Sequence, residues 1–266
     1  MEYDRYPNFP QFNMLVKILV WNVQGVGNKI PTIRELIRIN NPTVLVLVET
    51  HLSGEQAQKV CDKIGFSGNL RVEAQGFSGG IWLFWRKEVV TVTSFGSHSQ
   101  HLTVEIKKIG DTPWLFSAIY ASPDTVLRRQ LWEELEKIKN SYSGPWLLAG
   151  DFNETISMNE RNGVGGSEME RRCRNFANWI DNVNLIDLGA AGPQHTWFRG
   201  SSPDTFKSAR LDRCLANEDW RLKFSEAAVR NLPKSCSDHC PILMSSSGFA
   251  PLPQAIRPFR FQAAWL

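Results

Sequence analysis

The stretch "GGIWLFWRKEVVTVTSFGSHSQHLTVEIKKIGDTPWLFSAIYA", Gly79–Ala121, decides the fold class. It holds four short runs of β-branched, aliphatic and aromatic residues: Gly79–Trp85, Val89–Phe95, Leu102–Lys108 and Trp114–Ala121. Such runs suit a pleated, buried strand. The connections between them are too short to hold a helix, so the spacing predicts antiparallel hairpins rather than a repeated strand–helix unit. Upstream, "LVKILVWNV" (Leu15–Val23) and "TVLVLVET" (Thr43–Thr50) are two more such runs, with Ile30, Ile33, Leu36 and Ile37 at helical spacing between them. Downstream, "WLLAGDF" (Trp146–Phe152) is another. Two helices are predicted from apolar stripes, one of Leu127, Leu131, Leu135 and Ile138, the other of Met169, Cys173, Phe176, Ile180 and Val183. Both stripes read as core packing. Consecutive strands with a few helices predict an α+β layered domain.

The bulk numbers bound the answer. The chain has 266 residues, 42% hydrophobic and 21% charged, an ordinary globular composition with ample material for a core. A net charge of +3 is compatible with a polyanionic partner without requiring one. There is no apolar run long enough to span a membrane and no signal-peptide pattern at the start. Five scattered cysteines suit a reducing, intracellular compartment better than a disulfide framework. Residues 1–13 read as a loose arm, residues 14–247 as the domain, and residues 248–266 as a Pro-rich linker or tail.

The chemistry lies in polar residues at the ends of apolar runs. Asn22, Glu49, Tyr120, Asp151 and Asn153 close four strand segments or follow directly on them; Asp212 lies in "ARLDRCLA", and Asp238-His239 precede "CPILM". If these ends meet at one sheet edge, they suit a hard cation and a phosphate. Taken singly, each has a bland explanation. Glu49 reads as a solvated loop residue, Asn22 and Asn153 as turn residues, Asp212 as a surface ion pair with Arg210 or Arg213, and Tyr120 as a half-buried strand aromatic. Within "CSDHCP" (Cys236–Pro241) the choice is between a zinc knuckle of Cys236, His239 and Cys240 and a catalytic Asp238-His239 pair. Structural zinc sites need four ligands, usually in paired knuckles, and no second knuckle is visible, so no structural zinc is expected.

The segments "WN" (21–22), "VET" (48–50), "IYASP" (119–123), "GDFN" (150–153), "HTW" (195–197), "RLDR" (210–213) and "SDHCPI" (237–242) resemble, in their order, the endonuclease/exonuclease/phosphatase superfamily, which includes deoxyribonuclease I. The likeness spans Leu15 to Ser245. It implies a four-layer α/β/β/α sandwich of two packed mixed β-sheets flanked by helices. It also implies Mg²⁺, with Mn²⁺ as the alternative, held by Glu49, Asn22 and Asp238. In the catalytic set Asp151 activates the attacking water, Asn153 helps hold the phosphate, and Tyr120 points at the scissile phosphate. His239 contacts the phosphate and is oriented by Asp212.

The stretches Glu160–Gly200 and Ser208–Trp220, with "WNVQGVGN" and "RPFRFQAAWL", are further similar to the endonuclease domains of plant-type non-LTR retrotransposons, although Val23 and Gln24 depart from the commoner Cys-Arg. That likeness implies nicking of double-stranded DNA to leave a 3′ hydroxyl that primes reverse transcription, with a reverse-transcriptase domain in cis. The phosphate contacts are expected from Arg128, Arg161, Arg172, Arg199 and Lys207, with Arg129 and Arg171 as further candidates. Neither a membrane nor a required protein partner is implied; the site of action is the nucleus, without a clear localisation signal. The alternatives are a phosphatase of the same superfamily, acting on a phosphoinositide or other phosphoester, and a zinc-stabilised or non-catalytic DNA-binding module.

Overall fold

The computed structural model describes residues 15–163 and 165–250. The expected arm over residues 1–13 and most of the expected tail lie outside them. The first half of the chain runs β1 (Lys17–Asn22), α1 (Ile30–Asn40), β2 (Val44–Val48), α2 (Gly54–Cys61), β3 (Gly68–Val72), β4 (Ile81–Trp85), β5 (Val90–His98), β6 (His101–Lys108) and β7 (Trp114–Tyr120). Next come α3 (Thr125–Ser141), β8 (Trp146–Asp151), β9 (Arg161–Asn162), α4 (Ser167–Asn182), β10 (Leu185–Asp187), β11 (Trp197–Arg199) and β12 (Lys207–Ala209). Last are β13 (Asp212–Asn217), α5 (Glu218–Lys223), β14 (Ala228–Asn231) and β15 (Ile242–Ser245).

These strands form two six-stranded sheets, ordered β14-β15-β1-β2-β4-β3 and β10-β13-β8-β7-β6-β5, and a small third sheet, β11-β12-β9. Each large sheet contains one parallel pair joined through a helix, β1 with β2 and β7 with β8. The other pairs are antiparallel.

Four layers follow from period-2 alternation. One face of β1, β2 and β4 (Ile18, Val20, Val46, Leu83) meets one face of β6 to β8 (Val104, Phe116, Leu147) in the core between the sheets. The opposite face of the first sheet, including Trp21, Leu45 and Trp82, is covered by Ile33 of α1 and Ala57 of α2. On the second sheet, Leu115, Ile119 and Leu148 are covered by Leu131, Phe176 and Trp179 of α3 and α4. Strands buried on both faces lose the polar alternation of a solvent-facing sheet, which is why their sequences read as unbroken apolar runs.

Three expectations need correction. The hairpin reading holds for β5-β6-β7 but not for β4, which pairs with β2 and β3 in the other sheet. All five residues of β4 are buried, so it needs cover on both faces and a strand on either side; the turn after Trp85 carries the chain across the core. The α3 stripe also shifts: Leu127 is 48% exposed, and Arg128 is buried in its place. The α3 N-terminus is set by Asp124, whose Oδ1 accepts from the amides of Val126 (2.7 Å) and Leu127 (3.3 Å). In α4, Trp179 joins the buried face that the sequence placed at Cys173, Phe176 and Ile180, while Met169 is only half-buried. At the end of the described residues, the Phe249 ring packs against the first sheet's outer core with the Arg230 guanidinium 4.1 Å from its centroid.

Candidate active site

The sheet registers bring the polar strand ends together. Tyr120 lies opposite Asp151 in the parallel β7/β8 pair, and Asp151 opposite Asp212 in the antiparallel β8/β13 pair. In the first sheet, Asn22 closes β1 opposite Val48, with Glu49 next along the chain. β15 runs antiparallel to β1, so the segment before it, with Asp238 and His239, returns beside Asn22. Ser237 Oγ donates to the Asn22 carbonyl (2.8 Å), and the Trp21 indole donates to the His239 carbonyl (3.1 Å). The glycine before Asp151 is a backbone requirement: Gly150 has φ +147°, and a Cβ there would lie 2.0 Å from the Ile119 carbonyl oxygen. Asn153 reaches its place through a left-handed turn at φ +48°.

A buried polar chain links the two sheets. The His239 Nδ1–H donates to Asp212 Oδ2 (2.8 Å), and its Nε2 lies 3.7 Å from Asp151 Oδ2. That oxygen accepts from Asn22 Nδ2 (2.9 Å) and Asn153 Nδ2 (3.2 Å), while Asp151 Oδ1 accepts the Asn153 backbone amide (2.9 Å). Asp151, Asp212 and His239 are all buried. Burial pushes the Asp151 carboxyl up to about 7, helped by Asp212 and opposed by His239. Burial draws the His239 imidazole down, but the Asp212, Asp151 and Asp238 carboxylates outweigh it and raise it to about 10. Tyr120 is pushed well above the ordinary phenol range, first by burial and then by the Glu49 and Asp151 carboxylates, with Asp238 adding to them. Asp212 is thus no surface ion pair, and Tyr120 is buried rather than half-buried.

The donor set suits a hard cation. Asp238 Oδ2 accepts from the Trp197 indole (3.0 Å) and from Gln24 Nε2 (3.4 Å), but its buried Oδ1 has no partner. A buried carboxylate oxygen left free in this way fits a metal ligand. Among the described residues, Asp151, Asp212 and His239 are the only group of His, Cys, Asp and Glu whose ligand atoms gather within 4.8 Å. Within that group His239 is hydrogen-bonded to Asp212 and lies 3.7 Å from Asp151. Cys236 is exposed, its Sγ 3.5 Å from the Thr32 hydroxyl, and Cys240 is buried; neither joins His239 in such a group.

The expected phosphate-contacting residues divide. Arg199 and Lys207 are exposed and opposite each other in β11/β12, and Arg161 lies on the adjoining β9; all three line a hollow of about 820 Å³ beside Trp197. Arg128 is a correction: it is buried, and its Nη2 donates to the buried Glu154 carboxylate at 2.7 Å, leaving no free face for a phosphate. Arg172 shares Glu154 at 3.0 Å and is partly exposed. Arg129 is exposed, and Arg171 is held by Glu168 at the surface.

Several supporting residues escaped the sequence reading. The Thr196 hydroxyl accepts the Asp212 amide (2.9 Å), Trp197 and Gln24 hold Asp238, and His51 Nε2 lies 3.3 Å from Glu49 Oε1. The "HTW" stretch carried the signal for Thr196 and Trp197; Gln24 and His51 gave none, since loop polarity alone does not single out a residue.

A fold of two packed mixed sheets with this strand-end polar cluster suits a class of phosphoester-cleaving enzymes, and sequence comparison agrees on the class. The chain belongs to the Endonuclease/Exonuclease/phosphatase family, whose model matches residues 19–239. It is 24% identical over 238 residues to the "Probable RNA-directed DNA polymerase from transposon X-element" of Drosophila melanogaster, covering 87% of this chain and 24% of that protein. The chain thus spans about a quarter of the length of that relative. Among solved structures it is similar to the AP endonuclease LMAP of Leishmania major (17% identity, 87% of both chains, TM-score 0.68). It is also similar to the endonuclease domain of TRAS1, a telomere-specific non-LTR retrotransposon (14% identity, 86% of this chain and 97% of that one, TM-score 0.64).

Proposed function

We propose that this chain is a divalent-metal-dependent DNA endonuclease domain of a non-LTR retrotransposon. It nicks double-stranded DNA in the nucleus and leaves a 3′ hydroxyl, which a reverse transcriptase in the same polypeptide extends. The observation that carries this reading is the buried Asp212–His239–Asp151 chain, closed by Asn22 and Asn153 where the ends of both sheets meet.

In this reading Asp151 takes the proton of the attacking water, a task suited to a carboxyl raised to about 7. His239, held protonated by Asp212, donates to the phosphate oxygen as charge develops on it. Asn153 and Tyr120 hold the phosphate from the second sheet, and Glu49, Asn22 and Asp238 would hold Mg²⁺. The chemistry that ion supplies is neutralisation of charge on the phosphate and the leaving oxygen. The basic hollow lined by Arg161, Arg199 and Lys207 supports a polymeric substrate over a single phosphoester, because it offers cations beyond the reacting phosphate. The relative with polymerase in its name, of which this chain spans a quarter, supports a reverse transcriptase in cis.

The test is nicking of supercoiled plasmid with Mg²⁺ and with EDTA, followed by extension of the nick with a DNA polymerase. Mg²⁺-dependent nicks that extend without end repair are expected, and Asp151→Ala and His239→Ala should each lose about a hundredfold or more. A chain that fails to nick but releases phosphate from a phosphoinositide would replace this reading with the phosphatase one.

A further inference from the structure

The loop that carries Glu49 is unusual in its backbone. Glu49 has φ +57° and His51 has φ +59°, so two non-glycine residues, one apart, occupy the left-handed region. Such a residue is strained and persists only where its surroundings hold it. Here four backbone hydrogen bonds do so. The Glu49 carbonyl accepts from Gly25 (2.7 Å) and the Thr50 carbonyl from Val26 (3.1 Å). On the other side, the Thr50 amide donates to Gly80 (3.4 Å) and the His51 amide to Gly79 (3.1 Å). The loop is clamped between the segments that follow β1 and precede β4.

The clamp brings the His51 ring over Gly25. A Cβ on Gly25, itself at φ +84°, would lie 3.3 Å from His51 Nδ1, so the missing side chain makes room for the imidazole. With the ring seated there, Nε2 faces Glu49 Oε1 at 3.3 Å. An ionised carboxylate only accepts, so Nε2 carries the proton in this contact. Both side chains are about one quarter exposed, at 27% and 23%, and so open to solvent at the candidate metal position.

We infer that His51 is a positioning residue: it occupies Oε1 of Glu49 and turns Oε2 toward the divalent cation. This rests on the reading of Glu49 as a metal ligand. With the backbone at residue 51 in the left-handed region, the ring sits beside Gly25 and Nε2 lies next to Glu49 Oε1. A ligating carboxylate commonly depends on such an outer partner, and its removal costs roughly ten- to a hundredfold in metal affinity.

Binding of Mg²⁺ alone, measured by isothermal titration calorimetry on the whole chain, tests this without reference to catalysis. His51→Ala and His51→Gly should each weaken binding about ten- to a hundredfold, and His51→Gln, whose amide N–H can reach Oε1, should stay near wild type. Urea unfolding of the metal-free proteins separates positioning from folding. His51→Gly relieves the positive φ and should be at least as stable as wild type while binding the metal more weakly. Wild-type affinity in His51→Ala and His51→Gly overturns the inference, and so does a His51→Gln variant as weak as His51→Ala. Glu49→Gln is the control for the underlying reading: if it binds Mg²⁺ like wild type, the metal site itself is misassigned. If Glu49→Gln loses binding and His51→Ala does not, only the role of His51 fails.

Discussion

Replacing Asp212 with Asn probes the polar chain with little change of shape. The amide oxygen can still accept the Nδ1–H of His239 that Asp212 Oδ2 accepts at 2.8 Å, and the Asp212 backbone remains tied to Thr196. What disappears is a buried negative charge. In the wild type, Asp212 heads the carboxylates that lift His239 to about 10 against the pull of burial, so the imidazole is charged at pH 8. If the variant imidazole falls back to its ordinary 6.5, about 3% of it is protonated at pH 8 and about three quarters at pH 6. Nicking that needs the charged ring should therefore drop about thirtyfold at pH 8, and the deficit should shrink to less than about twofold at pH 6. The assay is the initial rate of supercoiled-plasmid nicking at saturating Mg²⁺ from pH 6 to 9, expressed as wild type over variant. A ratio that stays constant across the range, or a variant with wild-type activity at pH 8, refutes a charged His239 held by Asp212.

Three further outcomes follow from burial. Glu154→Gln leaves Arg128 buried without its counter-charge and removes the partner of Arg172; a loss of about 3 kcal/mol in urea unfolding is expected, and an unchanged midpoint would show that the pair contributes nothing. His101 is buried and lowered to about 4, first by desolvation and then by His98. The unfolded chain takes up this proton near 6.5 and the folded chain only near 4, so stability is full above pH 6.5 and falls by about 3 kcal/mol as pH drops to 4. His101→Asn should flatten that part of the stability–pH curve, and an unaltered slope assigns the acid lability elsewhere. Gly150→Ala forces a Cβ against the Ile119 carbonyl and should cost at least about 3 kcal/mol, or abolish soluble expression; a stable, active variant would show that β7 and β8 can separate.

How much was legible in the sequence differs by element. β1, β2, β7 and β8 announced themselves because both of their faces are buried; β1, β7 and β8 end on a polar side chain, and Glu49 directly follows β2. β9, β11 and β12 are two or three residues long and partly exposed, so neither length nor periodicity marked them. The ordered motifs named Asp151, Asp212 and His239, whereas Gln24 and His51 stayed hidden because their parts depend on which loops lie beside them.

By itself, then, the sequence determined what is local and periodic: apolar strands, helix stripes, and the kind of polar residue that ends each strand. Only the tertiary structure decided that β4 and β5 separate into opposite sheets, that Arg128 is locked against Glu154, and that Asn22 of one sheet hydrogen-bonds to Asp151 of the other. Those outcomes turn on which surfaces cover one another. A buried charge must find its partner and a two-sided strand its cover wherever the chain brings them, and residue spacing does not record that distance.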